Sequence, residues 1–477
     1  MKLTKLIPFL GIAILFQCTS PKPKTIDFSS VSQVETGNPV SVMLTSYSTT
    51  LIANGKDQTK IRIALTDSIG REIKTATDSI QILFSGDGIL TDPNGVEINL
   101  QPDKMDFKIT SQKLVNGTCN LLLTAGNKPG STKIQVRSGD LRPGDCEIHM
   151  LPKNFELMTP TADQLPATTK PTDKIIGADI SFLPQIEARN YKFFENNQEI
   201  DALKLLKDHG FNYIRLRIFV NPEDERGYSP QQGFCGLKPT LEMAKRINNA
   251  GLKLLLDFHY SDNWADPQKQ IKPLAWDRLD FETLKDSVKT YTTRVLTAFK
   301  NQGTMPAMVQ IGNEVNHGIL WPEGHISHPD QLADLLKAGV EGVESVNNEI
   351  PVMMHIALGG QHDESVFWLN NMIARGVRFD IIGISYYTRW HGTLNDLQSN
   401  LTDLVTRFNK PVNVVEYGDF KREVHDIVFN LPDEMGKGAC IWEPLSARSG
   451  LFDRQGNTTT QILLYDEIHS KYLTKQD

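Results

Sequence analysis

Leu252-Lys253-Leu254-Leu255-Leu256-Asp257-Phe258-His259-Tyr260 is an apolar run that closes on hydrogen-bonding side chains. A short run of this kind suits a strand buried on both faces of a parallel sheet. Polar groups gathered at its C-terminal end are what a barrel strand presents to an active face. Seven comparable runs lie at 175–180, 213–219, 307–313, 352–358, 381–386, 412–416 and 438–442. Between them apolar residues recur at helical spacing, as at Ile200, Leu203 and Leu206, or at Leu332, Leu335, Leu336 and Val343. Strands alternating with helices over roughly 250–300 residues predict an α/β fold, a (β/α)8 TIM barrel at 174–473, with an open parallel sheet as the alternative.

Upstream the pattern changes. From 25 to 150 strand-like runs such as Val40-Ser41-Val42-Met43-Leu44, Ile61-Arg62-Ile63-Ala64-Leu65 and Ile80-Gln81-Ile82-Leu83-Phe84 are separated by turn signals such as Asp92-Pro93-Asn94-Gly95. This predicts a small all-β, immunoglobulin-like sandwich, and residues 51–68 resemble bacterial immunoglobulin-like modules of the invasin and intimin sort. The sandwich is expected to act as a spacer, since no clustered aromatic face is evident, with a glycan-binding module as the alternative. Residues 151–173 carry Pro152, Pro160, Pro166 and Pro171 among many threonines and read as a semi-extended, exposed linker. Residues 1–18 begin Met1-Lys2-Leu3-Thr4-Lys5, continue into an apolar run and end in Leu15-Phe16-Gln17-Cys18. That layout predicts export with lipidation at Cys18, and so a membrane-anchored lipoprotein at the outer membrane or cell surface; secretion or a periplasmic location is the alternative. The run is too short to span a bilayer.

A 477-residue chain is long for one core, in keeping with two folded units. The net charge of −7 gives no basic footprint, so nucleic acid is not an expected partner. Of the 5 cysteines, none has zinc spacing, and no metal or cofactor is expected. Cys119 and Cys146 could pair or stay as thiols. A monomer is expected, touching a membrane only through its N-terminal lipid.

The strand ends carry Asn221, Asp257 to Tyr260, Asn313-Glu314, Tyr386-Tyr387, Glu416-Tyr417 and Trp442-Glu443. A single polar strand end can serve solubility alone; six together point to a site. Cleaving a glycosidic bond needs one carboxyl that keeps its proton and one carboxylate that attacks or activates water. Glu314 and Glu416, after strands on opposite sides of the barrel, fit that pair. Asn313 is placed to reach the sugar 2-hydroxyl. Arg215 and Arg217 point to the same side of their strand, and Arg217, nearer its C-terminal end, is expected to keep Glu416 ionised. Asp257, His259, His355, Tyr386, Trp390 and His391 are grouped with them as substrate-binding. Flat indoles suit pyranose faces, and Trp442 is expected beneath the cleaved sugar.

These residues resemble glycoside hydrolase family 53, the endo-β-1,4-galactanases. The carriers are Gly177-Ala178-Asp179-Ile180-Ser181, Arg215-Leu216-Arg217 with Asn221-Pro222, Asp257 to Asp262 with Trp264-Ala265-Asp266-Pro267, Gly312-Asn313-Glu314 with Leu320-Trp321-Pro322, Ser385-Tyr386-Tyr387 with Trp390-His391-Gly392, and Val414-Val415-Glu416. The resemblance implies a retaining enzyme with Glu314 as acid/base, Glu416 as nucleophile, and β-1,4-galactan, a pectin side chain also called type I arabinogalactan, as substrate. The acidic calcium loop that the resemblance implies for some bacterial members, after strand seven, has no counterpart in Tyr417-Gly418-Asp419-Phe420-Lys421-Arg422. A hydrolase of mannan or xylan, and a surface glycan-binding lipoprotein that no longer cuts, are the competing readings.

Overall fold

The computed structural model describes residues 25–474 apart from 105, 169 and 171. The leader and Cys18 lie outside the described residues. Eight parallel strands close a barrel: β1 (Ile175–Asp179), β2 (Tyr213–Ile218), β3 (Lys253–Phe258), β4 (Met308–Ile311), β5 (Val352–Ile356), β6 (Ile381–Tyr386), β7 (Val412–Tyr417) and β8 (Gly436–Trp442). All eight coincide with the runs read from the sequence. Hydrogen bonding of β1 to β8 excludes the open sheet.

Strand alternation sorts the side chains. One set points outward under the helices, as Ile214, Leu216 and Ile218 do on β2. The other points inward and forms tiers. Ile175, Tyr213, Leu255, Met308, Met353, Ile381, Val415 and Cys440, one from each strand, make an apolar plug. Two residues further along, the inward positions turn polar: Arg215, Asp257, Gln310 and His355, each 1% exposed or less. The plug removes water from below, so every polar group above it needs a protein partner. The helical ring outside is held by ordinary signals. The longest helix among the described residues, Phe281–Gln302, starts where Asp280 caps the Thr283 N–H and stops at Gly303, whose φ of 78° continues no helix.

The N-terminal unit is two packed sheets. Strand Gln58–Thr66 lies between Ser41–Ser46 and Thr118–Ala125 in one sheet, and strand Gly130–Arg137 between Ser79–Ser85 and Gly144–Leu151 in the other. Val42, Ile61, Ile63, Ile82, Phe84 and Ile148 fill the space between them. Cys119 and Cys146 are both free thiols.

The sandwich rests on the mouth of the barrel. Arg389, after β6, approaches Asp145 to 3.6 Å, and Thr49 Oγ1 lies 2.8 Å from His317 Nε2, after β4. Strand β1, however, begins at the opposite end of the barrel. The connecting residues must descend its full height, and they do so docked rather than free. Phe155 packs on Phe367, the Met158 N–H donates to Asn371 Oδ1, and Lys170 Nζ pairs with Asp380 at 3.0 Å. The linker is therefore a strap along the barrel wall, docked at these points while other residues, Leu157 among them, stay exposed. No helix among the described residues is long and apolar enough to cross a membrane.

Candidate active site

The barrel mouth opens into a cavity of about 440 Å³ lined by Glu314, Glu416, Asn313, Tyr387 and the indoles of Trp264, Trp390 and Trp442. Glu314 is delivered by a turn. Strand β4 stops at Ile311, and Gly312 has φ 74° where an added Cβ would meet Val315 Cγ1 at 2.5 Å. Glu314 itself holds φ 49°, a left-handed conformation uncommon for a glutamate. Glu416 is delivered by a bulge. Gly383 pairs with Asn413, but Ser385 pairs with Glu416, so β7 carries one extra residue. Val415 already points into the plug; the bulge re-aims Glu416 inward as well, where strict alternation would have turned it out.

Arg215 organises the floor. Its five N–H groups reach Gln310 Oε1 (3.2 Å), Asp179 Oδ2 (2.9 Å), Glu416 Oε1 (2.7 Å), Asp257 Oδ2 (2.8 Å) and Asn313 Oδ1 (2.8 Å). A guanidinium has five donors, and here each has an acceptor. The Tyr387 hydroxyl donates to the other Glu416 oxygen at 3.2 Å. Burial pushes Glu416 up, and the Arg215 cation opposes it directly, with Asp179 and Asp257 adding smaller upward pushes.

Glu314 has no such cation in contact. The Ser385 hydroxyl donates to its Oε1 at 2.7 Å, and His355 Nε2 lies 2.8 Å behind that hydroxyl. Burial first, then the charge of Glu416, holds Glu314 well above the usual carboxylate range. His355 stays neutral because burial, then Arg215, hold it far below the usual imidazole range. The cleft thus joins a carboxyl held well above the usual range with no cation in contact to a second glutamate, raised by burial as well, that a fixed cation touches.

Arg217 does not do what its position suggested. Its guanidinium lies 4.0 Å beneath the Trp264 ring and 3.4 Å from Glu443, and does not reach Glu416. The task falls to Arg215, one tier lower, because an arginine's charge sits several bonds beyond its backbone. Asp257 and His259 are also beneath the cleft rather than in it. Asp257 is 0% exposed and anchors Arg215, Gln310 and, at 3.1 Å, His259 Nε2. His259 Nδ1 accepts the Ala265 N–H, so the ring proton sits on Nε2, the nitrogen nearer Asp257. His355 acts through Ser385. Tyr386 points outward into the packed layer, its hydroxyl on the Gly392 carbonyl at 3.3 Å; alternation places Ser385 and Tyr387 inward in its stead. Asn313, Trp390, His391 and Trp442 do line the cleft. The Asn313 Nδ2 donates to the Ala265 carbonyl at 2.9 Å, which leaves its second hydrogen for a ligand. Ser385, Gln310 and the role of Arg215 escaped the sequence reading; inward alternation from Tyr213 and Ile381 was the signal that could have found them.

Comparison with known proteins is consistent with this geometry. The model for glycosyl hydrolase family 53 matches residues 175–441, and that for glycoside hydrolase family 2 C-terminal domain 5 matches residues 42–147. An uncharacterized protein in the bgaB 5′ region of Niallia circulans is 46% identical over 251 residues, 51% of this chain and 66% of that protein. An arabinogalactan endo-beta-1,4-galactanase A from Emericella nidulans is 37% identical over 249 residues, 50% of this chain and 69% of that protein. Among solved structures, a GH53 catalytic domain from Ignisphaera aggregans superposes with a TM-score of 0.58 at 30% identity, covering 65% of this chain and 99% of that one.

Proposed function

Since this chain belongs to glycosyl hydrolase family 53, we propose that it is a retaining endo-β-1,4-galactanase in which Glu314 is the acid/base and Glu416 the nucleophile. The observation that carries the division of roles is the single cation at Glu416: Arg215 Nη1 contacts Glu416 Oε1 at 2.7 Å, whereas Glu314 meets only the Ser385 hydroxyl. Substrate lies across the cleft with one pyranose over Trp442. Glu314 gives its proton to the glycosidic oxygen as Glu416 attacks the anomeric carbon, so the leaving sugar departs as a neutral alcohol. The resulting glycosyl ester is opened by a water whose proton Glu314, now ionised, takes back. Tyr387, donating to the second oxygen of Glu416, holds the carboxylate in its plane. Asn313, fixed by Arg215 and the Ala265 carbonyl, offers its free N–H to the 2-hydroxyl.

The galactan assignment follows the relatives, several of which are named arabinogalactan endo-beta-1,4-galactanases. Purified protein incubated with linear β-1,4-galactan, mannan and xylan should release short oligosaccharides from galactan alone. Cleavage of mannan or xylan in preference would overturn the substrate, and no cleavage of any would overturn the enzyme. The reading extends to a monomer tethered by lipid at Cys18. Metabolic labelling with a radioactive fatty acid should mark the wild-type chain and not Cys18→Ser.

A further inference from the structure

Strand Gly144–Leu151 has two faces. Ile148 and Met150 point into the sandwich core, whereas Asp145, Glu147 and His149 point the other way. In a free-standing sandwich that second face would meet water. Here it borders the same cavity as Glu314 and Glu416, along with Thr49 and Ser46.

The module is keyed into place. Glu364, 1% exposed on the barrel, accepts from Thr49 Oγ1 at 2.8 Å and from Thr50 Oγ1 at 2.9 Å. His317, three residues after Glu314, brings its Nε2 within 3.4 Å of the same carboxylate. Gln361, which lines the cavity, donates from Nε2 to the Ser46 carbonyl at 3.1 Å, while its Oε1 is buried without a protein donor. A buried acceptor left unpaired is costly, and a ligand hydroxyl would relieve it. Asp145 and Glu147 line the same cavity, with side chains 46% and 26% exposed and only loose cationic neighbours, Arg389 at 3.6 Å and Lys133 at 3.4 Å.

The side of the cleft follows from the loops involved. The sandwich docks through His317 after β4, Gln361 and Glu364 after β5, and Arg389 after β6. The loop after β4 carries Glu314, and β6 carries its Ser385 partner. A proton donor stands beside the oxygen that departs, so these loops border the leaving sugar.

We propose that the β-sandwich is part of the glycan site: Asp145, Glu147 and Gln361 Oε1 accept hydrogen bonds from hydroxyls of a neutral pyranose on the leaving-group side of the scissile bond. This rests on Glu314 as the proton donor. The same module would then set how many leaving-side sugars the cleft admits.

The test uses the full chain with Asp145→Ala, Glu147→Ala and the double variant, each checked for an unchanged melting temperature. Two substrates are compared: a linear galacto-oligosaccharide, and an aryl glycoside of the same non-reducing sugars whose leaving group carries no sugar. The double variant should lose about tenfold or more in kcat/KM on the oligosaccharide and stay within about twofold on the aryl glycoside. Glu147→Trp, which adds bulk at the wall, should shift the product lengths released from the polymer. Equal losses on both substrates, or no loss on either with unchanged product lengths, would overturn the proposal. Failure of the parent reading looks different. A wild type that prefers another β-1,4-glycan removes galactan, and the sugar-to-aryl ratio is then read with oligosaccharides of that glycan.

Discussion

The floor beneath Glu416 and the wall behind Glu314 use the same materials to opposite ends. The floor sets one buried cation, Arg215, among Asp179, Asp257 and Glu416. The wall offers Glu314 a hydroxyl and, behind it, a neutral imidazole. Burial raises both glutamates and the Arg215 charge opposes the rise at each, but only Glu416 is in contact with that guanidinium. Two identical side chains therefore sit in different surroundings because Arg215 contacts one of them and not the other, the contrast on which the proposed division of acid from nucleophile rests.

The sharpest way to break this contrast is to neutralise the floor's carboxylate. Glu416→Gln should lose at least about 10⁴-fold in kcat on galactan with an unchanged circular dichroism spectrum; near-normal turnover would end the nucleophile assignment. Next comes the wall. Glu314→Ala should lose about 10²–10⁴-fold on galactan but far less on an aryl glycoside whose leaving group needs no proton. Equal losses on the two substrates would argue against an acid there.

A finer probe alters the wall without removing its carboxyl. The Ser385 hydrogen bond lowers the Glu314 pKa, so Ser385→Ala should raise it and move the alkaline limb of the kcat/KM profile to higher pH, with a loss of about tenfold or less. A limb that moves down would reverse the sign assigned to that bond. The smallest effect is on stability. The folded pKa of Glu314 is raised above its unfolded value, so its proton favours the native state; that contribution is full below pH 4.5 and fades as pH rises through the folded pKa. Glu314→Gln should then melt a few degrees higher than wild type at alkaline pH and nearly level with it at pH 4. Thermal scans at the two pH values decide it.

All eight barrel strands and the positions of Glu314 and Glu416 were legible in the chain, because apolar runs that end in polar groups report burial and strand direction together. Individual site roles were less so. Arg217 looked closer to the chemistry by counting residues, yet side-chain length carried Arg215 to Glu416 and left Arg217 under Trp264. Tyr386 gave way to Ser385 and Tyr387 because inward and outward positions are set by register against the plug, which only the closed barrel fixes. One face of the sandwich borders the cleft, and its linker is strapped down the barrel side, neither of which residue spacing could show.

What the sequence determined alone was local: which segments are strands, which strand ends are polar, and which two acids stand at opposite ends of the pair. Those properties depend on residue type and spacing along the chain. Tertiary structure decided the rest: the bulge that turns Glu416 inward, the arginine that reaches it, and the face of the sandwich that meets the mouth. Each of those depends on contacts between residues distant in the chain, where the energy of a buried charge is set by what lies within a few ångströms.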